Sequence, residues 1–428
     1  MKTKVKREIK SRGIKSRGIK SQGIKSRKNV VRKKASSKVK LSRRKNRGTK
    51  KGGGVKYLQF DYSKKNLSTI HPINVVKCIE REEGESEYEC GEGGFARVYK
   101  IKLYIKKKKV PVLRERALRV VLDGIPLTDL DNEKKGNKQH QVLQEKIIQE
   151  KEKKKSDEES SDYNDDDLKN NLYIAELYGH GEITSTTPDS GTFIRLKYEN
   201  EIGDNPFYDE CLFSIIRLGI NSLSEVRFET DSRDIAYEIN INILKQIAIA
   251  LKFIHTQGYV YFDLKPDNVI VIKKKPQTVR LIDFGMLKHV TDRASKIFNG
   301  GSVMFMSPEV NNNMTFLQSI DNPQKCDVFS FGIVIYDLLY KPSNYNDEDY
   351  VITLNYLNEI KTDKLDYEKL NTATFDEFPE ECSVLKPLLQ LCVKTEPSQR
   401  PDMKQIVTIF SLSEKDRTKE NITAILGD

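Results

Sequence analysis

The stretch Tyr261-Phe262-Asp263-Leu264-Lys265-Pro266-Asp267-Asn268 constrains the chain more than any other. It is preceded by a segment, Ile239 to His255, in which Ile243, Ile247, Leu251 and Ile254 recur at a 3/4 spacing. That spacing predicts a helix with one buried face. Gly258 supplies the left-handed residue that stops it. The apolar run Val269-Ile270-Val271-Ile272 then reads as a strand. A polar loop is thereby pinned between a buried helix and a buried strand. An Asp, a Lys two residues on and an Asn three beyond put a base, a cation and a metal ligand on that one loop. Phosphoryl transfer needs such a layout: a carboxylate to take the hydroxyl proton, and charge compensation for the moving group.

Further motifs extend the pattern. Asp283-Phe284-Gly285 lies fifteen residues after Asn268, preceded by the strand-like Val279 to Ile282, and Ser307-Pro308-Glu309 follows. Upstream, Cys90 to Lys100 is a glycine-rich hairpin, with Gly91, Gly93 and Gly94 before Val98. Downstream come Asp327 with Phe329 to Val334, and Glu396-Pro397-Ser398-Gln399-Arg400-Pro401. In this order and spacing the motifs resemble the eukaryotic protein kinase family, Ser/Thr-type, over roughly residues 88–411.

The resemblance implies an α+β, bilobal protein kinase fold, with a small β-rich N-lobe and a larger helical C-lobe. It implies ATP and Mg2+ as cofactors and a protein substrate. Asp263 would be the catalytic base and Lys265 the cation at the γ-phosphate. Asn268 and Asp283 would hold the metal. Gly91, Gly93, Gly94 and Val98 would close over the nucleotide. Asp327 would hold the backbone amides of the catalytic loop, and Glu309 would pair with Arg400.

Several positions depart from the family pattern. The strand Arg116 to Val121 matches the one that carries a phosphate-gripping Lys, but Arg119 stands at that place. Glu145, in the helix-like run Leu143 to Ile148, is the expected partner of Arg119. Ala96 replaces the third glycine of the hairpin. Tyr261 and Phe262 replace the usual His-Arg, and that Arg ordinarily receives an activation-loop phosphate. With Phe there, activity should not depend on such a phosphate. Lys100, two residues past Val98 and on the same strand face, stands to assist the phosphates. Two readings result: a slow Ser/Thr protein kinase, or a catalytically inactive kinase-like scaffold or nucleotide sensor. Arg and Lys differ enough in shape for the substitution to matter.

The expected organisation is a disordered basic tail (1–56), an N-terminal extension (57–87), an N-lobe (88–199) with a charged, solvated insertion at 149–171, a C-lobe (200–411) and a C-terminal tail (412–428). The hinge is expected at Tyr198 to Glu201, after a strand over Thr192 to Tyr198. Residues 1–56 hold 24 Lys/Arg against the single acid Glu8, so the tail carries +23 and the remainder −11, which together give the net +12. The period-five repeat over residues 9–28 places glycine at every fifth position, which opposes a helix. A basic tail of this kind suits contact with nucleic acid or an import receptor. The six cysteines are scattered, with no C-x-x-C pair, as befits free thiols in a reducing compartment. No apolar run reaches the roughly 18 residues of a membrane span. The expected location is intracellular, in nucleus or cytoplasm.

Overall fold

The computed structural model describes residues 59–61, 76–78, 89–92, 96–107, 110–121, 127–156, 161–183, 194–197, 207–208, 211–226, 233–292, 303–313, 317–340, 366–375 and 380–427. The tail 1–56, Gly93, Gly94 and the stretch Tyr198 to Glu201 lie outside them.

The small lobe is built on one sheet. Short strands β1 (Gln59–Asp61), β2 (Val76–Cys78) and β3 (Glu89–Glu92) all pair with the long β4 (Ala96–Lys107). β4 runs antiparallel to β5 (Val110–Val121) in unbroken register, with Val98 opposite Arg119. The two faces of this ribbon differ as alternation requires. Tyr99, Ile101, Leu118 and Val120 are buried, whereas Val98, Lys100 and Arg119 occupy the other face and are partly exposed. A helix of 30 residues, α1 (Leu127–Ser156), follows. Then come the short α2 (Asp165–Lys169), β6 (Leu177–Ile183), β7 (Ile194–Lys197), β8 (Phe207–Tyr208) and β9 (Cys211–Ile216). The sheet order is β6-β9-β5-β4-β2-β7-β8.

Two boundaries differ from the sequence expectation. The strand that closes the small lobe is β9, inserted between β5 and β6 with Arg119 opposite Ser214, and not the run at Thr192 to Tyr198. The apolar stretch Leu212 to Ile215 earns that central position by being buried on both sides. The small lobe therefore extends through Ile216, beyond residue 199. The span 149–171 is also no uniform solvated insertion. α1 continues through Ser156, and Tyr163 and Leu168 are buried in the same core as the large-lobe helices. Counting charges hid these two apolar anchors.

The large lobe is organised around α3 (Arg233–Thr256), whose Ile243, Ile247, Leu251 and Ile254 are buried on the predicted face. Gly258, at φ +78°, ends it as expected, next to the His289 ring. β10 (Tyr259–Val260) leads into the polar loop, and the hairpin β11 (Val269–Lys274) and β12 (Gln277–Leu281) leads out. β13 (Lys288–His289) pairs back on β10. α4 (Pro308–Asn313), α5 (Gln324–Tyr340), α6 (Tyr367–Thr372), α7 (Lys386–Cys392) and α8 (Met403–Ser411) complete the lobe. α8 starts at a reciprocal capping box between Asp402 and Gln405. The last helix, α9 (Lys419–Gly427), buries Ile422 fully, and Arg417 just before it reaches Glu238 at 2.8 Å. Residues 412–427 are thus part of the lobe and not a tail.

Glu309 and Arg400 form the expected pair. The Arg400 guanidinium, fully buried, donates to both Glu309 oxygens at 2.6 and 2.9 Å, and to the carbonyls of Lys325, Lys394 and Thr395. Every donor of the charged group is satisfied, which burial of a cation demands. Removing one partner strands the other charge. Glu309→Ala should lower unfolding free energy by about 3–5 kcal/mol in urea titration, whereas Glu309→Leu with Arg400→Met should lose less than Glu309→Ala alone.

Candidate active site

The polar loop is fixed from below by Asp327, which is wholly buried. Its Oδ2 accepts from the Tyr261 backbone N–H at 2.8 Å and faces His255 Nε2 at 2.8 Å, and its Oδ1 accepts from the Phe262 N–H at 2.8 Å. Phe262 takes the left-handed φ of 64° that this grip imposes. The Tyr261 hydroxyl donates to the carbonyl of Ile282, and its ring meets Phe284 edge-on at 5.5 Å. Tyr261 therefore fills an apolar slot while tying the loop to the strand before Asp283.

Within the loop Asp263 is the hub. Lys265 Nζ lies 2.9 and 3.1 Å from its two carboxylate oxygens, and Asn268 Nδ2 donates to Oδ2 at 2.6 Å and to the Asp263 carbonyl at 2.8 Å. Burial pushes the Asp263 carboxyl up to about 6, helped by the negative charge of Asp283 and opposed by Lys265 and Asn268. A carboxylate in that range is suited to receive a hydroxyl proton near neutral pH.

Asp283 sits at a left-handed φ of 56°, with Oδ1 accepting from the Gly285 N–H at 3.2 Å and Oδ2 3.3 Å from Arg119 Nη2. Burial works to raise its pKa, but the Arg119 guanidinium and the Gly285 amide hold it below the usual carboxylate range. It remains ionised. For the metal, Asp283 offers a carboxylate and Asn268 an amide oxygen, since the Asn268 contacts to Asp263 run through its nitrogen. An all-oxygen donor pair fits a hard divalent cation that takes its remaining ligands from phosphates and water.

Arg119 is the joint of the site. Its Nη1 and Nη2 donate to the two oxygens of Glu133 at 2.7 Å each, a bidentate pair, while Nη2 also reaches Asp283. Burial opposes its charge, yet the carboxylates of Asp283 and Glu133 more than offset this and keep it protonated. The partner is Glu133 and not Glu145. Glu145 is exposed and receives a hydrogen bond from Gln141 at 3.1 Å. The physical reason is helix register. At ~100° per residue, Glu133, Gly136, His140, Leu143, Gln144 and Ile147 share one face, and Glu145 points nearly opposite. The sequence contained this signal: Glu133 shares the face of His140, Leu143 and Ile147, and Glu145 does not.

The same face packs on Asp283-Phe284-Gly285. A Cβ on Gly136 would lie 2.4 Å from the Phe284 carbonyl oxygen, so glycine is what lets helix and loop approach. One turn later, His140 stacks on Phe284 at 4.2 Å and binds the Ala175 carbonyl at 2.7 Å. Burial pushes the His140 imidazole down to about 4, and it stays neutral.

Of the glycine-rich hairpin, Gly91 lies on β3 opposite Val98, and Val98 lies opposite Arg119, on the face directed to the site. Lys100 shares that face, but its ammonium is 3.9 Å from Glu115, and among the described residues no contact carries it toward Asp283.

Comparison with known proteins agrees with this geometry. Residues 220–409 match the protein kinase domain model. A probable LIM domain-containing serine/threonine-protein kinase of Dictyostelium discoideum is 27% identical over 191 residues, covering 44% of this chain and 26% of the relative. MAP kinase-activated protein kinase 2 of Oryctolagus cuniculus is 27% identical over 160 residues, covering 37% and 40%. Serine/threonine-protein kinase ULK3 of Xenopus laevis is 25% identical over 157 residues, covering 37% and 30%. The chain thus spans between about a quarter and two fifths of the length of these relatives. Residues 220–409 are thus similar to a protein kinase domain, and the fold, sheet-rich in its N-terminal part and helical in its C-terminal part, is in keeping with that likeness.

The reassigned pairing is directly testable. Glu133→Gln should weaken ATP turnover by at least tenfold, since the neutral amide no longer holds the guanidinium, while Glu145→Ala should leave steady-state kinetics within twofold.

Proposed function

We propose that the chain is a Ser/Thr protein kinase that transfers the γ-phosphoryl group of ATP, with Mg2+, to a protein hydroxyl. The observation that carries this reading is the assembled set Asp263, Lys265, Asn268 and Asp283, with Arg119 joined to Glu133. Asp263 accepts the substrate hydroxyl proton at its carboxylate. Lys265, beside it, compensates charge on the transferring group. Asp283 and Asn268 would hold Mg2+, which neutralises the phosphate oxygens when bound. Phe262 leaves no cation at the place of the usual phosphate receptor, so phosphatase treatment is not expected to silence the protein.

A second reading, a nucleotide sensor without turnover, draws on one contact. Arg119 Nη2 stands 3.3 Å from Asp283 Oδ2, at an oxygen a metal would use. A planar fork committed to both Glu133 and Asp283 is less free to meet phosphates than a lysine ammonium. Slow turnover is the consequence we favour, because the charge is retained and only its placement shifts.

Asp283→Ala should abolish magnesium-dependent ATP binding in calorimetry. Asp263→Ala should preserve binding and lower kcat by ~10²–10⁴. In the wild type, kcat should fall below pH about 6, as the raised Asp263 carboxyl takes up a proton and stops acting as a base. Full turnover by Asp263→Ala would refute the role assigned to the loop.

Arg119→Lys should raise kcat and leave Lys100→Ala without effect on it. If wild type and Arg119→Lys both fail to bind ATP with Mg2+, the enzyme reading is lost and the sensor reading with it, leaving a scaffold.

A further inference from the structure

Lys288 has no part in the site as described, yet it is among the most deeply buried charged side chains of the large lobe, at 3% exposure. It sits on β13, five residues after Asp283, opposite Val260 on β10, the strand that runs straight into Tyr261. Its Nζ donates to Asn132 Oδ1 at 2.8 Å. Asn132 immediately precedes Glu133 on α1. One amino group thus spans the strand leading to the catalytic loop, the segment after Asp283, and the helical turn that carries the partner of Arg119.

A second contact on the same helix lies one turn away, where Gly136 meets the Phe284 carbonyl. Phe262 supplies a third tie to the segment that contains β13. It belongs to an apolar cluster with Val260, Met306 and Val310, against which Met286 and Val290 pack. Met286 and Val290 flank Lys288 in sequence. The segment after Asp283 is therefore held by apolar packing at Phe262 and by a buried amine–amide bond at Lys288. Neither needs an added anion. Burying an ammonium against a neutral amide is costly even with its hydrogen bond made, and an apolar residue of similar length would fill the space at lower cost.

We propose that the Lys288–Asn132 contact is a positioning link that couples the segment after Asp283 to helix α1 and so keeps Glu133 in place for Arg119 without phosphorylation. This rests on the kinase reading for its effect on turnover, but not for the coupling itself. Neither side chain touches the reacting groups. The link acts through Glu133 and Arg119.

The test uses the full chain and the variants Lys288→Met, Asn132→Leu and their combination, with ATP, Mg2+ and dephosphorylated casein as acceptor. Each single variant should lower kcat about tenfold or more, as expected for a small displacement of a catalytic pair. The double variant should be no worse than either single, because one contact is lost in all three. Asn132→Asp, which retains an acceptor for Lys288, should stay within twofold of wild type. A purely structural role would instead lower Tm while leaving kcat unchanged. Hydrogen exchange provides the independent readout. Lys288→Met should speed exchange over 127–140 but not over 324–340. Unchanged exchange over 127–140, or additive kinetic effects, would overturn the proposal. Should the wild type show no turnover with casein, the kinase reading fails, and the exchange result alone then decides whether the link exists.

Discussion

A single buried carboxylate sets the geometry on which the site depends. Asp327 enters α5 with no exposure and spends its oxygens on two backbone amides of the catalytic loop and on His255. A carboxylate in that position is stable only because each of these donors is aimed at it, and hydrogen bonds to a charged acceptor are roughly twice as strong as neutral ones. The grip orders Tyr261 and Phe262. Tyr261 fixes the strand before Asp283, and Phe262 fixes the segment after it. Asp263 then projects from a backbone held on both sides, as the base of the proposed reaction would need.

Across the cleft, order comes from a charge shared unequally. Arg119 offers a fork to Glu133 and an edge to Asp283. The arrangement joins β5, α1 and the Asp283 turn into one electrostatic unit, and it keeps Asp283 ionised. Its disadvantage lies in the same contacts: a guanidinium already satisfied by two carboxylates has less to give to phosphates. In the proposed kinase, stability of the assembled state and speed of turnover would pull in opposite directions at this residue. Lysine in its place would hold Glu133 with fewer bonds and leave its charge freer.

Local chemistry was legible wherever the residues that create it are adjacent in the chain. Asp263, Lys265 and Asn268 fall within one loop, and hydrogen bonding among them follows from proximity. The helix ending at Gly258, the hairpin after Asn268 and the Glu309–Arg400 pair were readable from apolar periodicity and motif resemblance. The partner of Arg119 departs from the sequence expectation because pairing depends on the phase of a 30-residue helix, and a charged helix with few apolar residues marks its phase weakly. Glu133 could have been recovered by demanding that the Glu share a face with Gly136, His140, Leu143 and Ile147.

The sequence by itself determined that a loop between a helix and a strand would present a carboxylate, an ammonium and an amide together, because Asp263, Lys265 and Asn268 are neighbours in the chain. Only the tertiary structure decided which glutamate meets Arg119, where the small lobe ends, and that Tyr163, Leu168 and Ile422 belong to the core. Those outcomes turn on which surfaces exclude water against which others, and residues far apart in the chain set them jointly. Lys288 shows the limit most clearly. In the sequence it is one lysine among many, and its meaning comes from burial beside Asn132, 156 positions away.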